Sequence, residues 1–174
     1  MWLFLASEVM FFTGLIAAYI VLRQAQPHWP NPAEALNIPL TAFNTFLLIC
    51  SSATLVKGLA AAEDGDQEGM QVGLFLTVLL GAMFLLIQAH EYHELIHERG
   101  LTPSSSLFGS CFFTMTGFHG AHVFGGVITL FIIFIKSLRG KYSKAEHRAI
   151  EVAGLYWHFV DLVWILLFTI VYLI

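Results

Sequence analysis

Charged residues are scarce in this sequence, and their scarcity excludes a water-soluble fold. Only 11% of the 174 residues are Asp, Glu, Lys or Arg, whereas 57% are hydrophobic. Soluble domains carry about a quarter charged residues, and a soluble fold of this length could not bury so much apolar surface. No basic stretch accompanies the net charge of −4, so we expect no nucleic-acid partner.

Cysteine is nearly absent as well. Cys50 and Cys111 lie in apolar runs and form neither a CxxC motif nor a disulfide framework, so we interpret both as small packing residues. The sequence also lacks a P-loop, a dinucleotide-binding glycine signature, a nucleophile elbow and the paired cysteines of a binuclear copper site. These absences leave no convincing catalytic constellation.

The sequence does contain five long apolar segments, each close to or above the roughly 20 residues that cross a hydrocarbon core. We predict an all-α, polytopic membrane helix bundle that forms a single transmembrane domain over residues 1–174. Its five helices are expected at about 2–22, 39–62, 72–97, 107–138 and 150–174. The first segment is too long for a signal-peptide core and no cleavage site follows it, so we interpret it as a retained span.

The distribution of Lys and Arg predicts the orientation. One side of the predicted bundle receives six basic residues, which are Lys57, Lys136, Arg139, Lys141, Lys144 and Arg148. The other side receives Arg23 and Arg99. Because cytoplasmic loops carry an excess of Lys and Arg, we expect a cytoplasmic N-terminus and a C-terminus outside.

Two of the predicted spans carry small residues four positions apart. These stripes are Gly73, Thr77 and Gly81 in the third span, and Gly117, Ala121 and Gly125 in the fourth. Small residues at this spacing let helix backbones approach closely. We therefore expect both stripes to pack against neighbouring helices.

Ionisable residues inside a span are costly and are functional candidates for that reason. The candidates here are Glu8, His119, His122, His158 and Asp161. A helical rise of about 1.5 Å per residue places the first four in the inner half of the membrane and Asp161 near its middle. Their similar depths suggest that several of them meet.

Three interpretations of these residues stay open. In the first, Glu8 hydrogen-bonds a histidine and the polar cluster locks three helices together. In the second, Glu8 handles protons, because its charged form is poorly solvated in the membrane. In the third, His119 and His158 face each other and ligate a haem or a metal, as in a small di-histidine haem protein.

An HExxH motif, His93-Glu94-x-x-His97, lies at the polar end of the third span. On a helix its two histidines share a face, and the glutamate could act as base on a zinc-bound water. An intramembrane zinc metalloprotease is therefore an alternative of another class. The motif lies where the span leaves the membrane and no third ligand is evident, so a polar helix end with side-chain pairs explains it as well.

Four motifs of the sequence resemble those of the cytochrome c oxidase subunit III family, and they occur in the family's order with compatible spacing. They are SEVMFF (7–12), LGAMF (80–84) followed by QAHEY (88–92), TGFHGAHV (116–123) and YWHFVDLVW (156–164). The last two are long and specific. The family-motif residues that they contain are Glu91, Tyr92, Gly117, Gly120, Trp157 and Trp164.

The resemblance implies accessory subunit III of an aerobic respiratory haem-copper oxidase, which reduces O₂ to water and pumps protons with cytochrome c as donor. Such a subunit has no catalytic centre and binds no haem or copper, because these belong to its partner subunits. It supports proton uptake and stability of the catalytic subunit. The implied partners are catalytic subunit I, subunit II, other oxidase subunits, phospholipid and a respiratory supercomplex, in the bacterial inner membrane.

Residue by residue, Glu8 falls on the family's membrane-embedded, carbodiimide-reactive glutamate. His119, His122, His158 and Asp161 fall on its matching polar positions. The chain resembles the five-helix bacterial form and not the seven-helix members, whose two further N-terminal helices border a lipid-filled cleft. Subunit III of a quinol oxidase and a nitric-oxide-reductase-associated homologue are the alternatives within this resemblance.

Overall fold

The structure, a computed structural model, describes residues 1–142 and 146–174, and the side chains of all of these except residues 33 and 34. Lys144, one of the basic residues used to predict the orientation, lies outside the described residues. The chain forms α1 (Trp2–Ala25), α2 (Pro32–Ala35), α3 (Ile38–Asp64), α4 (Gln67–His97), α5 (Leu107–Leu138) and α6 (Arg148–Phe168). A π-helical turn, Thr169–Leu173, continues α6.

The five long helices confirm the predicted all-α class. Each of them, with α6 and its π-helical turn taken together, is long and apolar enough to cross a membrane. The one-turn helix α2 was not predicted, because four residues are too few to produce a hydropathy or periodicity signal.

Polar side chains cap the starts of α4 and α5, and the cap of α4 extends that helix beyond its apolar segment. The Asp66 carboxylate accepts a hydrogen bond from the backbone N–H of Gly69 at 3.1 Å, so α4 begins at Gln67 and not near residue 72. The Ser106 hydroxyl accepts one from the N–H of Gly109 at 3.0 Å and starts α5. These side chains satisfy backbone donors that a helix start leaves free, and hydropathy does not detect them.

The closest helix pair is α3 with α4, and it meets through glycine. A β-carbon placed on Gly73 would lie 2.5 Å from the Cα of Gly58 and 3.0 Å from the carbonyl oxygen of Thr54. Only a hydrogen fits in that space. The packing role predicted for Gly73 is therefore confirmed.

Trp157 fills the centre of the bundle. Its side chain is fully buried, and its indole Nε1 donates to the Ser51 hydroxyl at 3.0 Å. A β-carbon on Gly81 would come within 2.7 Å of the ring, and one on Gly126 within 2.8 Å. The indole of α6 therefore requires glycine on both α4 and α5, which confirms the packing role of Gly81.

The packing role predicted for the stripe on α5 is wrong within this chain. A β-carbon on Gly117 would have its nearest neighbour, the Tyr92 hydroxyl, at 3.9 Å, and one on Gly125 would have none within 4 Å. The glycines of α5 that touch neighbouring helices are Gly120 and Gly126. Spacing identified the right helix, but it could not tell which way the helix is turned.

Hydrogen bonds show which loops share an end of the bundle. The Arg23 guanidinium donates to the carbonyl oxygen of Ile174, and Arg99 donates to that of Ala35 at 3.2 Å. At the other end, the Gln67 amide donates to the carbonyl oxygen of Tyr142 at 2.8 Å. The two described groups of basic residues therefore lie at opposite ends of the bundle.

Candidate functional site

Glu8 and His122 form a contact that joins α1 to α5. The Glu8 Oε2 lies 3.0 Å from the His122 Nε2, and both side chains are less than one-fifth exposed. The hydroxyl of Tyr156, on α6, donates to the backbone carbonyl of His122 at 3.0 Å. Three helices thus meet at one polar point, which we call the Glu8–His122 pair.

The second ring nitrogen determines what the Glu8–His122 pair can do. The His122 Nδ1 lies 2.7 Å from the carbonyl oxygen of Phe118, and a carbonyl can only accept, so Nδ1 carries a proton. The Nε2 is then either the acceptor for a protonated Glu8 or the donor to an ionised one. The Glu8–His122 pair is therefore a direct carboxyl–imidazole hydrogen bond between α1 and α5.

His119 does not join this pair. It is fully buried, stacks on Trp164 with ring centroids 4.7 Å apart, and meets Phe84 edge to face at 5.9 Å. Neither of its ring nitrogens has a hydrogen-bond partner among the described residues. His119 is thus part of the aromatic packing among α4, α5 and α6.

His158 and Asp161 are turned towards α3. The His158 Nδ1 is hydrogen-bonded to the Ser52 hydroxyl. Asp161 is buried, and its carboxyl group lies beside the same Ser52 hydroxyl. His158 contacts Ser52 on α3, while His119 packs against Trp164 and Phe84. Among the described residues, no contact between the two imidazoles supports the di-histidine ligation hypothesis.

The HExxH residues have other partners. Glu94 forms an ion pair with Arg99 at 2.8 Å, and the rings of His93 and His97 stack at 4.2 Å. Within residues 1–142 and 146–174, no group of three or more His, Cys, Asp or Glu side chains is arranged to hold a metal ion. The glutamate that a zinc hydrolase would use as base is therefore engaged elsewhere.

Sequence reasoning missed the environment of Glu91. This side chain is only 2% exposed. It accepts hydrogen bonds from the hydroxyls of Thr41 at 2.8 Å and Tyr172 at 3.3 Å. A signal was present, because the buried positions 77, 81, 84, 88, 91 and 95 of α4 keep a spacing of three and four. Continuing that spacing past the apolar segment places Glu91 on the buried face.

A polar seam along α3 was missed too. Its side chains at 44, 45, 51 and 54 are all bonded to neighbouring helices. The contacts are Asn44 to the Phe84 carbonyl, Thr45 to Trp164, Ser51 to Trp157 and Thr54 to Thr77. Their helical spacing within an apolar segment is the signal that would have identified one face of α3 as the centre of the bundle.

Together these contacts define a class, namely a multi-span helical membrane protein whose interior polar groups bind one another across helices. The cytochrome c oxidase subunit III family model matches residues 1–174. The chain belongs to that family. It is a non-catalytic subunit of the cytochrome c oxidase of aerobic respiration.

Curated relatives agree with this family. A cytochrome c oxidase subunit 3 of Corynebacterium diphtheriae is 44% identical over 98% of this chain and 84% of its own length. A protein of the same name from Synechocystis sp. is 43% identical over 99% of this chain and 73% of its own. A probable subunit 3 of Nocardia farcinica is 44% identical over 99% and 85%. The resemblance drawn from four phrases is confirmed, and the zinc metalloprotease alternative is wrong.

Proposed function

We propose that this chain packs beside the haem-copper catalytic subunit, supports proton uptake into it and prolongs its activity during turnover. The observation that carries the proposal is the Glu8–His122 pair. An ionisable side chain inside a membrane is costly unless it has a partner, and this pair is a carboxyl–imidazole hydrogen bond at a helix contact. In the proposal, that contact is where a proton is held. In the proposal, haems and copper stay in the partner subunits and cytochrome c is the electron donor.

The position of the Glu8–His122 pair suits exchange with one membrane surface. Glu8 lies six residues after the start of α1 at Trp2, which is about 9 Å along the helix axis. The side chain is partly exposed on the bundle surface. A proton can therefore reach Glu8 from the near membrane surface, while the contact with His122 keeps the carboxyl group in place.

The same proposal includes an N-terminus in the cytoplasm. One end of the bundle is richer in basic residues than the end with Arg23 and Arg99, and its described basic residues are Lys57, Lys136, Arg139, Lys141 and Arg148. A cysteine introduced at Gly65 should resist a membrane-impermeant thiol reagent in intact cells and react after the membrane is opened. Labelling in intact cells would show that the N-terminus lies outside, opposite to the proposed orientation.

Replacing Glu8 with glutamine should preserve the contact and remove the proton. The glutamine amide can donate to the His122 Nε2, so α1 stays packed and the initial rate of O₂ consumption stays near the wild-type value. The loss of activity during continuous turnover should become at least several-fold faster. The measurement is the time course of O₂ consumption by the assembled oxidase with reduced cytochrome c.

Two controls separate protonation from packing. Ser7→Ala changes the neighbouring residue, whose hydroxyl donates to the carbonyl oxygen of Phe4 on its own helix, and should behave as wild type. Glu8→Leu removes both the proton and the contact, and should also lower stability by roughly 1 kcal/mol. A wild-type time course for Glu8→Gln would remove proton handling from the proposal.

A further inference from the structure

Two histidines at the end of α4 have no part in the proposed function. His93 and His97 are both exposed, and their rings stack with centroids 4.2 Å apart and planes 20° from parallel. They are four residues apart, so they lie on one face of the helix, and α4 ends at His97. We call them the His93–His97 pair.

The carboxylate between the two histidines in sequence is directed elsewhere. The Glu94 Oε1 lies 2.8 Å from the Arg99 guanidinium, and Arg99 also donates to the carbonyl oxygen of Ala35 at 3.2 Å. Glu94 thus serves to hold the segment that follows α4. The two imidazoles lie against each other and not against this carboxylate.

The His97 ring has the orientation of a metal ligand. Its Nδ1 lies 3.1 Å from the backbone carbonyl oxygen of His93, and a carbonyl can only accept, so Nδ1 carries a proton. In the neutral ring the lone pair is then on Nε2, which is the atom that would bind a metal. Histidines that bind metals commonly donate their other ring N–H to a backbone carbonyl, which fixes the tautomer and the ring.

The spacing of the two rings suits one shared ion. Two imidazole nitrogens on a tetrahedral Zn²⁺ lie 2.0–2.1 Å from it, which places them about 3.3 Å from each other. The stacked rings, with centroids 4.2 Å apart, reach that separation by small rotations of exposed side chains. Imidazole nitrogen favours Zn²⁺, Cu²⁺ and Ni²⁺, whereas Ca²⁺ and Mg²⁺ favour oxygen.

We infer that the His93–His97 pair binds one divalent transition-metal ion, such as Zn²⁺, through its two Nε2 nitrogens. Two protein ligands agree with the finding that no described cluster of three or more His, Cys, Asp or Glu side chains could hold a metal. Water fills the remaining positions, so the ion exchanges with the medium and is lost in metal-free buffer. The ion joins two successive turns and stabilises the end of α4.

Zinc binding to the intact oxidase tests this inference, with the complex purified through a tag that contains no histidine. Equilibrium dialysis against Zn²⁺ alone at neutral pH gives the zinc bound per complex. His93→Ala and His97→Ala should each bind one equivalent less than wild type. His90→Ala is the matched control, because His90 is another exposed histidine of α4, and should bind the wild-type amount. All three variants should fold, since the side chains are exposed.

Hydrogen exchange shows whether the bound ion holds the helix end. The backbone N–H of Glu98 donates to the carbonyl oxygen of Glu94 at 2.9 Å and closes the last turn of α4. Zn²⁺ should slow exchange of this amide at least severalfold in wild type and leave it unchanged in His97→Ala. Protonation of the imidazoles releases the ion, so the effect should disappear in mildly acidic buffer.

Three results would overturn the inference. They are equal zinc content in wild type and both pair variants, a loss of one equivalent in His90→Ala as well, and zinc protection of the Glu98 amide that persists in His97→Ala. The proposed function stands in each case, because the His93–His97 pair is argued from α4 alone.

Discussion

Replacing Gly73 with leucine is expected to prevent the recovery of folded subunit. A β-carbon there would stand 2.5 Å from the Cα and 2.8 Å from the nitrogen of Gly58, and 3.0 Å from the carbonyl oxygen of Thr54. These neighbours are backbone atoms and cannot rotate away, so α3 and α4 would have to separate. Overpacking costs about 1–3 kcal/mol in cores that can adjust, and this contact cannot adjust without losing the whole helix pair.

The measurement is the thermal denaturation midpoint and the yield of monodisperse protein in detergent. Gly73→Ala should already lower the midpoint, because the clash begins at the β-carbon. Gly14→Leu is the matched control, since a β-carbon there meets nothing within 4 Å, and should behave as wild type. Equal midpoints for Gly73→Leu and Gly14→Leu would show that α3 and α4 do not meet through Gly58 and Gly73.

Replacing Trp157 with alanine is expected to destabilise the folded subunit strongly as well. Here the cause is a cavity in the core, whereas at Gly73 it is a steric clash. The indole is fully buried between Gly81 and Gly126, and glycine neighbours have no side chain to fill the space that it leaves. Large-to-small replacements of aromatic core residues cost about 3–5 kcal/mol. The Ser51 hydroxyl also loses the indole donor that it accepts from at 3.0 Å.

Thermal denaturation in detergent measures this loss, and two variants define its cause. Trp157→Phe should recover part of the stability by restoring ring volume, but not the bond to Ser51. Trp2→Ala removes an indole that is 74% exposed. This variant should change the free energy of unfolding by no more than about 0.5 kcal/mol. If Trp157→Ala also melted like wild type, the indole would not hold α4, α5 and α6 together.

The sequence was sufficient to predict the architecture, because crossing a membrane demands long apolar helices and little else can satisfy that demand. It was less informative about helix ends. The Asp66 side chain starts α4 through a hydrogen bond to the backbone N–H of Gly69, and such capping contributes nothing to hydropathy.

The candidate site was predictable only in part, because depth along a helix can be counted and rotation about its axis cannot. Depth placed Glu8, His122 and His119 at comparable levels, and the structure joins only Glu8 and His122. His119 is three residues away on the same helix, yet it lies against Trp164. The packing role predicted for Gly117 and Gly125 was wrong for the same reason, because the sequence does not show how α5 is rotated about its axis.

Glu91 shows which additional signal could have been used. The spacing of buried residues along α4 runs without interruption from Thr77 to Leu95 and passes through the polar stretch. A search that weighted periodicity above hydropathy would have found a buried glutamate there. Its two hydroxyl partners, Thr41 and Tyr172, come from distant segments of the chain, so no single-sequence pattern could have identified them.

The central claim is that this chain is an accessory oxidase subunit with no redox centre of its own. The most direct test purifies the oxidase through a tag on this chain, and then separates the chain from its partners. Reduced-minus-oxidised spectra and metal content are measured before and after separation. The account predicts that oxidase subunits with their haems and copper copurify, and that the separated chain is colourless and metal-free. A chain that purifies alone, or that keeps haem, copper or zinc after separation, would contradict it.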